Sequence, residues 1–125
     1  MRFIPTGIHG LIDYIWGLFL AVSPWLFGFA DNLPATYVAW AFGLGAIAYS
    51  LVTRYEAGLL PIVPVPVHLI LDVVAGAALA ASPWLFGFAD RVFWPHLAFG
   101  LFSVVAGLIT EQHPRSTAGV AGLRS

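Results

Sequence analysis

Polar positions are sparse along this chain, and they leave four long apolar stretches: Thr6–Phe27, Ala35–Thr53, Val67–Phe86 and Trp94–Thr110. At about 1.5 Å of rise per residue, each covers most or all of a hydrocarbon core roughly 30 Å thick, so the pattern predicts four transmembrane helices. The first stretch shares features with a signal peptide, with Arg2 before it and Ala21-Val22-Ser23 near its end. Pro24 directly after Ser23 makes a poor cleavage context, so the stretch is expected to be a retained helix. Between the second and third stretches, "LLPIVPVPV" at 59–67 predicts an extended connector resting on the membrane surface.

The polar residues inside the first and third stretches keep a four-residue beat. It reads His9, Asp13, Gly17, Ala21 in one and His68, Asp72, Gly76, Ala80 in the other. Residues four apart share a helix face. Gly17-xxx-Ala21 and Gly76-xxx-Ala80 are small-residue pairs that allow close helix approach in lipid. The simplest packing sets the first helix against the third along this stripe, bringing His9, Asp13, His68 and Asp72 to one depth.

The two stripes belong to a longer repeat. "SPWLFGFAD" runs from Ser23 to Asp31 and again from Ser82 to Asp90. The same offset of 59 pairs Pro5 with Pro64 and carries the whole stripe. Beyond the nonapeptide the second copy is two residues shorter, and "AFGL" at 41–44 matches 98–101, as Leu51-Val52-Thr53 matches Leu108-Ile109-Thr110. Each copy is a helix, a short aromatic connection and a second helix. An even number of spans per copy makes both enter from the same side, which predicts a pseudo-twofold axis along the membrane normal. The expected division is a first repeat at 1–56, a connector at 57–66, a second repeat at 67–112 and a mobile polar tail at 113–125.

With Ser23-Pro24-Trp25 and Ser82-Pro83-Trp84 ending its first and third spans, the chain resembles the SPW-repeat integral membrane proteins of bacteria and archaea. Those carry a Ser-Pro-Trp motif in the first of two transmembrane helices per repeat. The resemblance covers nearly the whole chain except its tail. It implies an all-α membrane protein of four helices in two parallel two-helix repeats, and it carries no activity with it.

Composition agrees with lipid as a solvent. Hydrophobic residues make up 60% of the chain and charged residues 9%, against about 25% charged in soluble domains. So small a body cannot bury that much apolar surface against itself. All five basic residues are arginines, scattered around a near-neutral net charge, which argues against a nucleic-acid partner. There is no cysteine, so disulfides, iron–sulfur clusters and thiolate chemistry are excluded. Arg2, Arg54, Arg115 and Arg124 fall on one side of the four-span plan and Arg91 on the other. The positive-inside rule then puts both termini and the connector in the cytoplasm of a prokaryotic inner membrane.

Proline within a helix leaves the carbonyl four residues back without its partner, here Leu20 and Leu79. The expectation is a kinked helix running on to Phe27 and Phe86, because membrane helices tolerate proline where neighbours resatisfy the backbone. Gly28 and Gly87 are then left-handed caps, Trp25, Trp84 and the flanking phenylalanines an interfacial belt, and Asp31 and Asp90 caps or turn formers for the next helix. A functional alternative makes the freed carbonyls ion ligands.

The candidate chemistry lies in the stripe. An acid two turns inside a membrane helix costs on the order of 3 kcal/mol on insertion scales. Polar contacts between helices return only about 0.6–2 kcal/mol, so His9, Asp13, His68 and Asp72 are read as a proton, cation or metal site. Two histidines and two aspartates suit a zinc, manganese or iron ion. Haem between His9 and His68 fits less well, because the Gly/Ala stripe leaves little room for a macrocycle. The opposing reading is polar glue in a structural or interaction module. His96, on the outer side without a counterpart, reads as an interfacial histidine. Ala41-xxx-Gly45 and Ser103-xxx-Gly107 read as exposed small-residue faces open to self-association or a larger membrane partner. No catalytic motif is present, and an enzyme is not expected.

Overall fold

A computed structural model describes residues 2–113. The expected tail, with Arg115 and Arg124, lies outside the described residues apart from His113. Among those residues there are four helices: α1 (Thr6–Leu26), α2 (Leu33–Leu51), α3 (Val65–Leu85) and α4 (Trp94–Ile109). Two of them, α1 and α3, are long and apolar enough to cross a membrane. Each has 21 residues, about 31 Å of helix.

The helix starts follow local chemistry. Asn32 accepts a hydrogen bond from the Ala35 amide and caps α2, while its neighbour Asp31 lies in the preceding turn, the second of the two roles expected for it. Asp31 sits in the open, 3.6 Å from Arg91. Pro66 and Pro95 occupy the first turns of α3 and α4, where a missing N–H costs nothing and φ is already helical. The first turn of α3 therefore takes in Val65 and Pro66, two residues that were expected to belong to the connector.

Both prolines of the nonapeptides are inside their helices. The Ser23 hydroxyl donates to the Leu20 carbonyl at 2.6 Å, and the Ser82 hydroxyl donates to Leu79 at 2.6 Å. These are the two carbonyls that Pro24 and Pro83 orphan. All four residues are fully buried, so the serine hydroxyl replaces the lost backbone donor.

Both helices end one residue before the expected boundary. Gly28 and Gly87 take positive φ of 73° and 75°, and the Phe29 and Phe88 amides return to the Pro24 and Pro83 carbonyls at 2.8 Å. That is the bond a left-handed glycine cap makes possible. The reversal folds Phe29 and Phe88 into the core beside Leu20, Leu79, Ala35 and Ala39, away from the aromatic belt to which they were assigned. Trp25 and Trp84 remain exposed, as a belt requires.

Packing departs from the expected scheme. α1 packs mainly against α2, and α3 mainly against α4, so the Gly/Ala stripes do not join α1 to α3. A Cβ on Gly17 would lie 2.7 Å from the Gly43 carbonyl oxygen, and one on Gly76 would lie 2.7 Å from the Gly100 carbonyl oxygen. Each stripe serves close contact within its own copy. Gly107 likewise faces α3, 2.8 Å from the Leu69 carbonyl by the same measure, and Ser103 donates to the Asp72 carbonyl at 2.8 Å. The Ser103–Gly107 face is thus internal, while Gly45 has open space around it.

The outer surface is apolar. Leu11, Ile15 and Leu18 on α1 are each more than half exposed, as are Ile70 and Val74 on α3. The connector doubles back on the end of α2, with the Leu59 and Leu60 amides on the Leu51 carbonyl and the Val63 amide on Val52.

Candidate functional site

The helix ends opposite the nonapeptides are drawn together by two short backbone bridges. Thr53, after α2, pairs with Val63, before α3; Thr110, after α4, pairs with Ile4, before α1. The Arg2 guanidinium locks the second bridge by donating to the Gly107 and Thr110 carbonyls at 2.9 and 2.8 Å. Each bridge therefore sets a threonine beside the histidine of the other copy.

The histidines and aspartates converge between the two helix pairs. His9 Nε2 is 2.8 Å from Asp72 Oδ2 and 3.1 Å from Asp13 Oδ1. His68 Nε2 is 2.9 Å from Asp13 Oδ2 and 3.4 Å from Asp72 Oδ2. One ligand atom from each residue lies within 4.8 Å of the others. The rings of His9 and His68 meet edge to face, 5.5 Å between centres. His9, His68 and Asp72 are buried and Asp13 nearly so. All four residues singled out from the stripe are thus brought together, although the contact that joins them is not the one expected from the glycines.

Four further residues complete the arrangement. His9 Nδ1 is 2.6 Å from Thr110 Oγ1, and His68 Nδ1 is 2.7 Å from Thr53 Oγ1. The Tyr49 hydroxyl donates to Asp72 Oδ1, and the Tyr55 hydroxyl donates to Asp13 Oδ2 at 2.8 Å. Burial pushes the Tyr55 phenol up, and the Asp13 carboxylate adds to the effect, so this hydroxyl stays protonated and donating. Sequence reasoning missed these residues. The threonines did leave a signal in the matched Leu51-Val52-Thr53 and Leu108-Ile109-Thr110, but it served only to set the repeat register. The tyrosines left none, because Ala106 and Gln112 stand at the corresponding positions of the second copy.

A cavity of about 10 Å³ touches Asp13, Asp72, Tyr49 and Ser103, room for roughly one water. Two larger apolar grooves flank the site. One, of about 410 Å³, runs between α1 and α4 along Trp16 and Phe99. The other, of about 280 Å³, runs between α2 and α3 along Phe42 and Leu71.

His96 stands elsewhere, enclosed by protein rather than exposed. It is fully buried between Phe29 and Phe88, with ring centres 5.1 and 4.8 Å away. Its Nε2 donates to the Ala35 carbonyl at 2.9 Å, which ties the second copy to the first at the nonapeptide end.

Among the described residues the chain is all-helical, with an apolar exterior, a buried His/Asp cluster and two helices long and apolar enough to cross a membrane, which points to membrane association. The chain belongs to the SPW repeat domain family, whose model matches residues 7–110. No curated protein and no solved structure matches it.

Proposed function

We propose that this chain is an integral membrane protein of four spans that binds a cation at His9, Asp13, His68 and Asp72. The observation that carries the reading is the convergence of two imidazole nitrogens and two carboxylates within 4.8 Å, in a body whose exterior is apolar. Buried ionisable groups in such a setting are expensive and mark ion or proton sites by default.

The four-span plan is two parallel repeats about a pseudo-twofold axis along the membrane normal. Its support is that contacts come in matched pairs: Ser23–Leu20 with Ser82–Leu79, and His9–Thr110 with His68–Thr53. The domain division at 1–56, 57–66, 67–112 and 113–125 follows from the same register. Arg2 and Arg54 lie at the end that holds the cluster, and Arg91 at the other. A prokaryotic inner membrane with both termini cytoplasmic is therefore the orientation favoured by the positive-inside rule. Labelling of single cysteines at positions 31 and 90 by an impermeant reagent tests this: reaction from outside is expected, and reaction only from the cytoplasm overturns it.

One specific observation favours polar glue instead, since every carboxylate and imidazole of the cluster already has a protein partner. Purified wild type and the D13N/D72N double variant separate the readings by thermal unfolding across pH and across monovalent and divalent cations. A cation-dependent shift of the wild type that the variant lacks is expected. Equal behaviour of the two makes the cluster glue, in a module that packs against itself or a larger membrane partner.

A further inference from the structure

The threonine contacts decide which face each histidine presents. Thr53 Oγ1 donates its single hydrogen to the Tyr49 carbonyl at 2.7 Å, and Thr110 Oγ1 donates to the Ala106 carbonyl at 2.6 Å. Each hydroxyl oxygen can then only accept from the imidazole beside it. So Nδ1 of His9 and of His68 carries the hydrogen, and neutral imidazoles point bare Nε2 lone pairs at the carboxylates. Four approaches between Nε2 and carboxylate oxygen lie at 2.8, 2.9, 3.1 and 3.4 Å. Without something positive between them, each sets a lone pair against a lone pair.

Two kinds of charge relieve this. Two protons, one on each Nε2, supply hydrogens for two of the four approaches. One dication at the centre faces both imidazoles and both carboxylates, and with one oxygen from each carboxylate it takes in three of the four approaches, since His9 and His68 approach different oxygens of Asp13. It also cancels the two carboxylate charges while leaving both imidazoles neutral, which suits a low-dielectric interior.

We infer that His9 Nε2, His68 Nε2 and one oxygen each from Asp13 and Asp72 form the site of a single divalent first-row transition metal ion of the zinc type. The inference rests on the cation reading above and specifies its ligand. Metal–nitrogen and metal–oxygen bonds of about 2.0–2.2 Å in a tetrahedron place neighbouring ligand atoms about 3.3–3.6 Å apart. The 3.4 Å pair already meets that spacing, the 2.8 Å pair must open by about half an ångström, and a pair at the 4.8 Å limit of the cluster must close by about 1.2 Å. Mixed imidazole and carboxylate ligation favours zinc, iron or manganese over calcium and magnesium, which take oxygen alone. Thr53 and Thr110 act as the outer hydrogen-bond partners that fix a metal-binding histidine in its tautomer, and Tyr49 and Tyr55 hold the carboxylates.

The test uses the full-length protein in detergent, stripped with chelator and titrated with Zn²⁺ by calorimetry and elemental analysis. Co²⁺ serves as a visible probe of coordination. Expected are about one Zn²⁺ per chain, a four-coordinate Co²⁺ spectrum, loss of both in D13N/D72N, and about 10–100-fold weaker binding in T53V/T110V. Absence of stoichiometric Zn²⁺, or equal binding by D13N/D72N, overturns the metal assignment. If D13N/D72N fails to fold, the wild-type Co²⁺ spectrum decides alone, and an octahedral, aquo-like spectrum overturns the assignment. If Zn²⁺ fails while the wild type still shows a cluster-dependent shift with pH or monovalent cations, only the metal inference falls. If no cation produces a shift, the cation reading falls with it.

Discussion

The Ser23 hydroxyl donates to the Leu20 carbonyl at 2.6 Å, the carbonyl that Pro24 leaves without a helical partner. Serine and proline in the motif therefore form one device: proline removes a backbone donor, and serine pairs the carbonyl that this sets free. Removing a donor from a fully buried carbonyl costs about 1–3 kcal/mol. S23A is expected to destabilise the protein by that amount in denaturant unfolding, and S82A likewise. In a P24A background, where the backbone N–H returns, S23A should cost almost nothing. A double-mutant cycle with no coupling between Ser23 and Pro24 would contradict the pairing.

The glycine contacts predict a sharp contrast along one helix. A Cβ at Gly43 meets the Gly17 carbonyl oxygen at 2.7 Å and the Ala21 amide at 2.9 Å, both of them backbone, whereas Gly45 meets nothing within 4 Å. G43A should therefore cost about 1–3 kcal/mol or more through overpacking. G45A should be neutral or stabilise by up to about 1 kcal/mol through helix propensity. Thermal unfolding of the two variants side by side reads the difference, and equal effects would place the close contact elsewhere.

Tyr49 and Tyr55 donate to Asp72 and Asp13, and hydrogen bonds to charged groups contribute about 1.5–3 kcal/mol each. Y49F and Y55F are expected to lower stability within that range. Y37F, at an exposed tyrosine on α2, should change it by less than about 0.5 kcal/mol. A Y55F variant as stable as Y37F would mean that the Asp13 carboxylate does not depend on this donor.

His96 fills the space between Phe29 and Phe88. H96A should open a cavity there and cost about 2–5 kcal/mol, as other large-to-small core changes do. Stability within about 0.5 kcal/mol of wild type would return this histidine to the interfacial role that its sequence position suggested.

Local chemistry and periodicity made much of this protein legible. Proline and glycine impose backbone geometry wherever they stand, so the interrupted hydrogen bonding at Pro24 and Pro83 and the left-handed caps at Gly28 and Gly87 follow from the nonapeptide alone. Four apolar stretches and a repeat anchored on an identical nonapeptide likewise predict four helices in two copies. A four-residue beat puts His9 above Asp13, and His68 above Asp72, in any helix.

What meets that face is a different matter, because one helix face can pack against any neighbour that fits it. The small residues of the stripe match Gly43 and Gly100 of their own copies, so close packing is spent within each helix pair. The two copies meet instead through the His/Asp cluster, the crossed threonines and His96. Apart from His68–Thr53, 15 residues apart, those partners stand 55 to 101 residues apart along the chain in the bonds His68–Asp13, His96–Ala35, His9–Asp72 and His9–Thr110. No local pattern specifies such pairings, since they depend on which chain ends the short bridges at Thr53 and Thr110 hold together. The sequence by itself determined the helices, their glycine caps and which residues share a face. The tertiary structure decided which faces meet, and so made a four-residue stripe into a cluster of eight.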